Sequence, residues 1–224
     1  MLILRCSWIG VETMRASPKT IQPPRSELDK PAKQRIAEQA DMLFTRWGVN
    51  ISTEMIAHYA HTNVETIKKH FGTRERLVFD FLRSLMKQAE LSWKRIEQEH
   101  PNDPEAQLRE WVLESEFAAD PSVQGAHAQL SRAAVDLIGF FEKDPLLTEI
   151  EKFWRAERRK IVKLCEQARF RDPAALADKL LLLVQGARNE RNCYGYGGPS
   201  QKVAEAGDDL MVVHGAQRKP LLEV

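Results

Sequence analysis

From Leu28 onward, apolar residues recur at spacings of three and four, the period of helices with one buried face. Ile36, Ala40, Leu43, Phe44 and Trp47 mark a first helix, and Gly48 ends it as a residue tolerant of the left-handed conformation. Ser52 or Thr53 caps a second, short helix that carries Met55, Ile56 and Tyr59. His61-Thr62 makes a turn, and Asn63 caps a third helix whose Ile67 and Phe71 face inward at i, i+4. Thr73 caps a long fourth helix with Leu77, Phe81, Leu85 and Ala89 on its apolar face and Glu75 near the positive end of its dipole. It runs to about His100, where Pro101-Asn102-Asp103-Pro104 breaks it.

Four more apolar stripes follow. They are Leu108, Trp111, Val112 and Ser115; then Leu130, Ala134, Leu137, Ile138 and Phe141; then Ile150, Phe153, Trp154, Ile161, Leu164 and Ala168; then Leu176, Leu180, Leu183, Val184 and Ala187. The first three stop near Asp120-Pro121, Asp144-Pro145 and Asp172-Pro173. A glycine-rich break, Tyr194 to Pro199, precedes a weaker ninth segment from Ser200 to Val213. No stretch alternates with period two, so an all-α chain of about nine helices is expected.

The stretch from Ser52 to Leu77 limits the function most. Its two helices are too short to stand alone, since isolated helices below ~12–15 residues are marginal in water. The second ends in Lys68, Lys69 and His70. A short, exposed, basic second helix after a tight turn is the pattern of a helix-turn-helix that enters the DNA major groove. Asn63, Thr66, Lys68 and Lys69 have reach and donors for base edges or phosphates. Ser52, the Thr53 hydroxyl and the start of the second helix suit a phosphate, and Arg74 is placed to clamp the DNA backbone.

Residues 33–77 resemble the DNA-binding domain of the tetracycline-repressor (TetR) family of bacterial transcription regulators. Ile36, Ala40, Leu43 and Phe44 match the apolar face of the family's first helix, and Gly48 the glycine ending it. Ser52-Thr53 match the capping pair of the second helix and Ile56-Ala57 its buried pair. Thr66-Ile67 and His70-Phe71 match the recognition helix, and Thr73-Arg74-Glu75-x-Leu77 the start of the fourth. The chain departs from the family pattern at four positions. His61 stands where glycine is usual, Thr62 for valine, Glu65 for a small residue and Lys68 for tyrosine. Glu65 brings a negative charge near phosphates unless it accepts a hydrogen bond from a cytosine amino group, so a divergent operator is expected. The resemblance implies an N-terminal three-helix DNA-binding domain and a larger C-terminal ligand-binding and dimerisation domain.

Composition changes the picture little. Of 224 residues 43% are hydrophobic and the formal net charge is +1, which fits a globular protein and not a polybasic binder. Residues 1–35 carry seven Lys or Arg against three acids, so a basic arm that seeks phosphate and a plain solvated tail both remain open. Pro18, Pro23 and Pro24 keep residues 14–27 extended. Residues 1–13 are too short and interrupted for a membrane span and lack a cleavage site, and Met14 is an alternative start. Cys6, Cys165 and Cys193 are few and far apart, which argues against a disulfide framework and for a reduced cytoplasm. Cys165 reads as a small buried apolar residue, and His58, His61 and His70 as surface residues with no ligand set completing them. No phosphate loop, nucleophile elbow or paired-acid setting supports an enzyme, and no metal or cofactor is expected.

The expected organisation is a flexible arm (1–27), a DNA-binding domain (28–75), a ligand-binding and dimerisation domain (76–215) and a tail (216–224). The expected DNA contacts are Ser52, Thr53, Asn63, Glu65, Thr66, Lys68, Lys69, His70 and Arg74. If the later helices enclose a cavity for a small apolar or aromatic ligand, its candidates are Trp111, Ser115, His127, Leu130, Ala134, Ile138, Phe141, Phe153 and Trp154. Trp93, Phe117, Phe140 and Gln129 are further candidates. Leu176, Leu180, Leu183, Val184 and Ala187 are candidates for a two-fold interface, with burial in the monomer as the alternative. Expected partners are operator DNA and a second copy, with no membrane. The alternative function is a protein–protein adaptor that keeps the helix-turn-helix as a packing unit.

Overall fold

The computed structural model describes residues 30–114, 125–138, 145–194 and 198–217. Among these are nine α-helices and no strand: α1 Ala32–Trp47, α2 Thr53–Tyr59, α3 Val64–Phe71, α4 Arg74–Glu99, α5 Pro104–Glu114, α6 Ala126–Ile138, α7 Pro145–Gln167, α8 Pro173–Tyr194 and α9 Val203–Val213. A short 3-10 turn, Pro199–Lys202, leads into α9. No described helix is long and apolar enough to cross a membrane.

Three of the expected caps form. The Ser52 hydroxyl accepts from the Met55 N–H at 3.2 Å, the Asn63 side chain from Thr66 N–H at 2.8 Å and the Thr73 hydroxyl from Arg76 N–H at 3.3 Å. The first helix begins at Ala32, later than the pattern from Leu28 suggested, because Pro31 sits at its cap. The Asp-Pro pairs work as starts as much as stops. Pro104, Pro145 and Pro173 open α5, α7 and α8, and Asp103 accepts from Ala106 N–H at 2.9 Å.

The apolar faces merge into two cores divided along the length of α4. The lower core joins Ile36, Leu43, Phe44, Ile56 and Ile67 to Leu77, Phe81 and Leu85, and is completed by Leu130, Ala133, Leu137, Leu146 and Ile150. Helix α6 and the start of α7 therefore belong to the same packed unit as the helix-turn-helix. The upper core joins Trp93, Ile96, Leu108, Trp111, Ile161, Leu164, Leu176, Leu180 and Val184 to Val203 and Met211. Cys165 is buried there, and burial with the nearby Glu166 charge pushes its thiol up to about 12, which suits an inert core residue.

One charge lies deep between α4, α6, α7 and α8. Glu157 is buried, with His127 Nε2 at 2.6 Å and the Trp93 indole N–H donating to it at 3.4 Å. Burial alone would raise its carboxyl. The hydrogen bond from His127, the charges of His127 and Arg188 and the Trp93 contact outweigh that and hold it below the ordinary carboxylate range.

Glu157→Gln is therefore expected to lower stability at pH 7 by about 3 kcal/mol in urea denaturation, because it removes the buried charge that faces Arg188. A depressed carboxyl contributes stability above the unfolded value, near 4, and loses it as pH falls through the folded value. The difference between wild type and variant should accordingly close below about pH 4.

Candidate nucleic-acid interface

The short helices are held by the lower core and by the side chains around their turn. Ile56, Ala57, Ala60 and Ile67 are buried. Arg35 of α1 donates from Nε to the Ala60 carbonyl at 3.3 Å, and Thr62 N–H closes on the Ala57 carbonyl at 3.0 Å. His61 adopts φ 49°, so the turn takes the left-handed conformation where the family pattern has glycine. On the free side of α3, Glu65, Lys68, Lys69 and His70 are exposed, opposite Ile67.

Two predicted DNA contacts are already engaged within the protein. Asn63 Oδ1 accepts from both the Thr66 N–H and the Thr66 hydroxyl, at 2.8 and 3.0 Å. Ser52 likewise serves as the cap of α2, and Thr53 beside it is half-buried. Arg74, expected to clamp a DNA backbone, is here engaged on the chain itself: its Nε donates to the Ile51 carbonyl at 2.7 Å and its guanidinium also bonds the Val49 carbonyl. The loop between α1 and α2 leaves those carbonyls without helical partners, and a half-buried cation satisfies them.

The same loop is gripped from the other side by α6. Asp136 accepts from Val49 N–H at 3.0 Å, and its own carbonyl accepts from the Asn50 amide at 3.3 Å. Arg132 reaches the last carbonyls of α1, Arg46 at 3.3 Å and Thr45 at 3.5 Å. Thr45 donates to Gln129 at 3.1 Å, so Gln129 joins α6 to α1. Gly48 permits the approach. It stands at φ 87°, ψ 174°, outside the left-handed helical region expected for a terminating glycine, and a Cβ there would lie 2.3 Å from Asp136 Oδ2.

The predicted ligand residues divide. His127, Phe153 and Trp154 come together, with ring centroids 5.2–6.0 Å apart, beside Glu157. Trp111 stacks on Trp93 at 5.9 Å in the upper core. Leu130 is fully buried in the lower core and Ala134 packs against it, so these two hold α6 to the helix-turn-helix. Ser115, Phe117, Phe140, Phe141 and the Ile138 side chain lie outside the described residues.

The α8 residues named as candidates for a two-fold interface, with burial in the monomer as the alternative, are covered within the chain. Leu176, Leu180 and Val184 are 0% exposed within the monomer, Ala187 is buried and Leu183 packs against the same core. That stripe is needed by the chain's own core. The opposite face bears Ala175, Leu182 and Gly186, and Leu182 is 75% exposed. Sequence reasoning missed Glu157, Arg132 and Asp136. Glu157 had a visible signal: it falls between Trp154 and Ile161 on the apolar stripe of α7, where a charge needs a partner. Among the described residues no group of three His, Cys, Asp or Glu is placed to hold a metal ion.

No family model matches the sequence. No curated protein matches it either. Solved structures do match the fold. A TetR-family transcriptional regulator from Streptomyces coelicolor superposes with a TM-score of 0.69 at 16% identity, over 85% of this chain and 97% of that one. A protein described as a transcriptional regulator from Saccharomonospora viridis, solved in complex with choline, gives 0.64 at 20% identity, over 82% and 96%. A TetR-family regulator from Agrobacterium tumefaciens gives 0.63 at 21% identity, over 82% and 98%. The chain has the fold of these regulators, as the resemblance of residues 33–77 implied.

Gly48→Ala should destabilise the protein by about 2 kcal/mol or more, since it combines a disfavoured positive φ with a collision at Asp136. Thermal unfolding of the variant checks this. Adding Asp136→Ala should recover only the steric part of the loss, because the Val49 N–H then loses its acceptor.

Proposed function

We propose that this chain is a DNA-binding transcription regulator that acts as a homodimer. In this reading it represses from its operator until a small molecule releases it. The observation that carries the reading is the exposed, basic α3, held at a helix-turn-helix by the lower core, in a fold shared with TetR-family regulators. A helix with its side chains is ~10–12 Å across and the major groove ~12 Å wide, so α3 fits the groove. Lys68, Lys69 and His70 then face the duplex, and a two-fold dimer presents two copies of α3 to two half-sites about one helical turn or a multiple apart.

The ligand site is proposed among the aromatic residues of the larger domain, around Trp93, Trp111, Phe153 and Trp154. Signalling is proposed through α4 and α6. Helix α4 runs unbroken from Arg74, beside the recognition helix, to Glu99 in the upper core. Helix α6 carries His127 near one end and the Asp136 grip on α1 near the other. A ligand that binds one arrangement of these helices better than the other changes the separation of the two α3 helices, and DNA binding with it.

The direct test is binding of the purified protein to DNA, including the region upstream of its own gene, at several salt concentrations. Sequence-selective, salt-dependent binding is expected, and its absence would sink the proposal. Reversing charge with Lys68→Glu and Lys69→Glu should abolish the gel shift while leaving the melting temperature within a few degrees. An adaptor that used the same helices only for packing would keep its function in that variant. For the dimer, Leu182→Glu on the exposed face of α8 should convert it to monomer in light scattering, whereas Leu180→Ala should instead lower stability by about 2–5 kcal/mol as a core truncation.

A further inference from the structure

Resting on the DNA-binding reading above, the geometry points to Glu65 and Lys69 as the pair that reads the operator: Glu65 selects a cytosine and Lys69 a guanine about two base pairs away.

Several polar side chains on and beside α3 are already engaged within the protein. The Asn63 side-chain oxygen and the Thr66 hydroxyl are hydrogen-bonded to each other, and Asn63 also caps the helix. Arg74 is turned inward onto the α1–α2 loop. Lys68 and His70 are exposed as well, but at about 100° per residue they lie to either side of the line that joins Glu65 to Lys69. Glu65 and Lys69 share that line. They are exposed, one turn apart on the side of α3 opposite Ile67 and Phe71. At i, i+4 they have the spacing of a helical ion pair, yet no ion pair joins them among the described residues.

Glu65 lies in the first turn of α3, the part of a recognition helix that meets base edges. A carboxylate has no donor for a phosphate or for guanine. In the major groove it is matched by the cytosine N4 amino group, while an ammonium is matched by guanine O6 and N7. Four residues of helix rise ~6 Å, against ~3.4 Å per base pair, which sets the separation at about two base pairs. The carboxylate also repels DNA that offers no donor at that position, so Glu65 contributes discrimination more than affinity.

The test is selection from a randomised duplex pool with the full-length protein, followed by gel shifts on single-base variants of the selected site. Wild type should enrich a cytosine and, about two base pairs on, a guanine, with about tenfold loss of affinity on replacing either. Glu65→Ala should flatten the preference at the cytosine only, Glu65→Gln should move it towards adenine, and Lys69→Ala should flatten the guanine only. Circular dichroism melts show whether each variant still folds, and exposed positions in α3 are expected to tolerate these changes. A Glu65→Ala protein that keeps its cytosine preference, or binds every sequence more tightly with an unchanged motif, overturns the inference and leaves DNA binding standing. A folded wild type that enriches no sequence overturns both.

Discussion

The grip of α6 on the end of α1 is the interaction on which the placement of the helix-turn-helix depends. Helix α1 finishes with carbonyls that no further turn can satisfy, and the loop after it adds more. Arg132 and Asp136 take the last carbonyls of α1 and the Val49 N–H from one side, and Arg74 takes the Val49 and Ile51 carbonyls from the other. Both sets require the backbone of Gly48 to lie flat against Asp136, which a side chain at that position would prevent. The loop so fixed delivers Ser52 to the start of α2. From there Arg35 and the His61 turn set the angle of α3. Helix α3, of eight residues, has little stability of its own, so its orientation is inherited from this chain of contacts.

A consequence is that the helix-turn-helix does not form a separate core. Leu130, Ala133 and Leu137 of α6 and Leu146 and Ile150 of α7 complete the apolar cluster begun by Ile36, Phe44 and Ile67. Motion of α6 is then motion of the floor of the helix-turn-helix. At its other end α6 carries His127, which meets the buried carboxylate of Glu157 beside Phe153 and Trp154. A buried charge is costly unless its partners stay in place, so this is a point where two packings of the upper core would differ sharply in energy. The proposed signalling route follows from these two facts about one helix.

The helices, their order and their caps were legible because they are local. Ser52, Asn63 and Thr73 cap through bonds three residues away, and the Ile67-Phe71 and Leu77-Phe81-Leu85 stripes need only the helical period. The positions of Lys68, Lys69 and Glu65 on the exposed side of α3 followed from the same period. Which apolar stripe faces which neighbour was not legible. The stripe of α8 has the same spacing whether it meets a second copy or its own core, and the chain uses Leu176, Leu180 and Val184 for the core.

The sequence by itself thus determined an all-helical chain with a helix-turn-helix near its start, since both rest on contacts within about four residues. The tertiary structure alone decided what Arg74, Gly48 and Glu157 do, because each acts on groups brought near from far along the chain. Arg74 serves a loop more than twenty residues before it. Gly48 meets Asp136 across 88 positions. Glu157 depends on Trp93, His127 and Arg188 from three other helices. A pattern of spacing records that such residues are unusual in their places; only the packed chain supplies the partner that explains them.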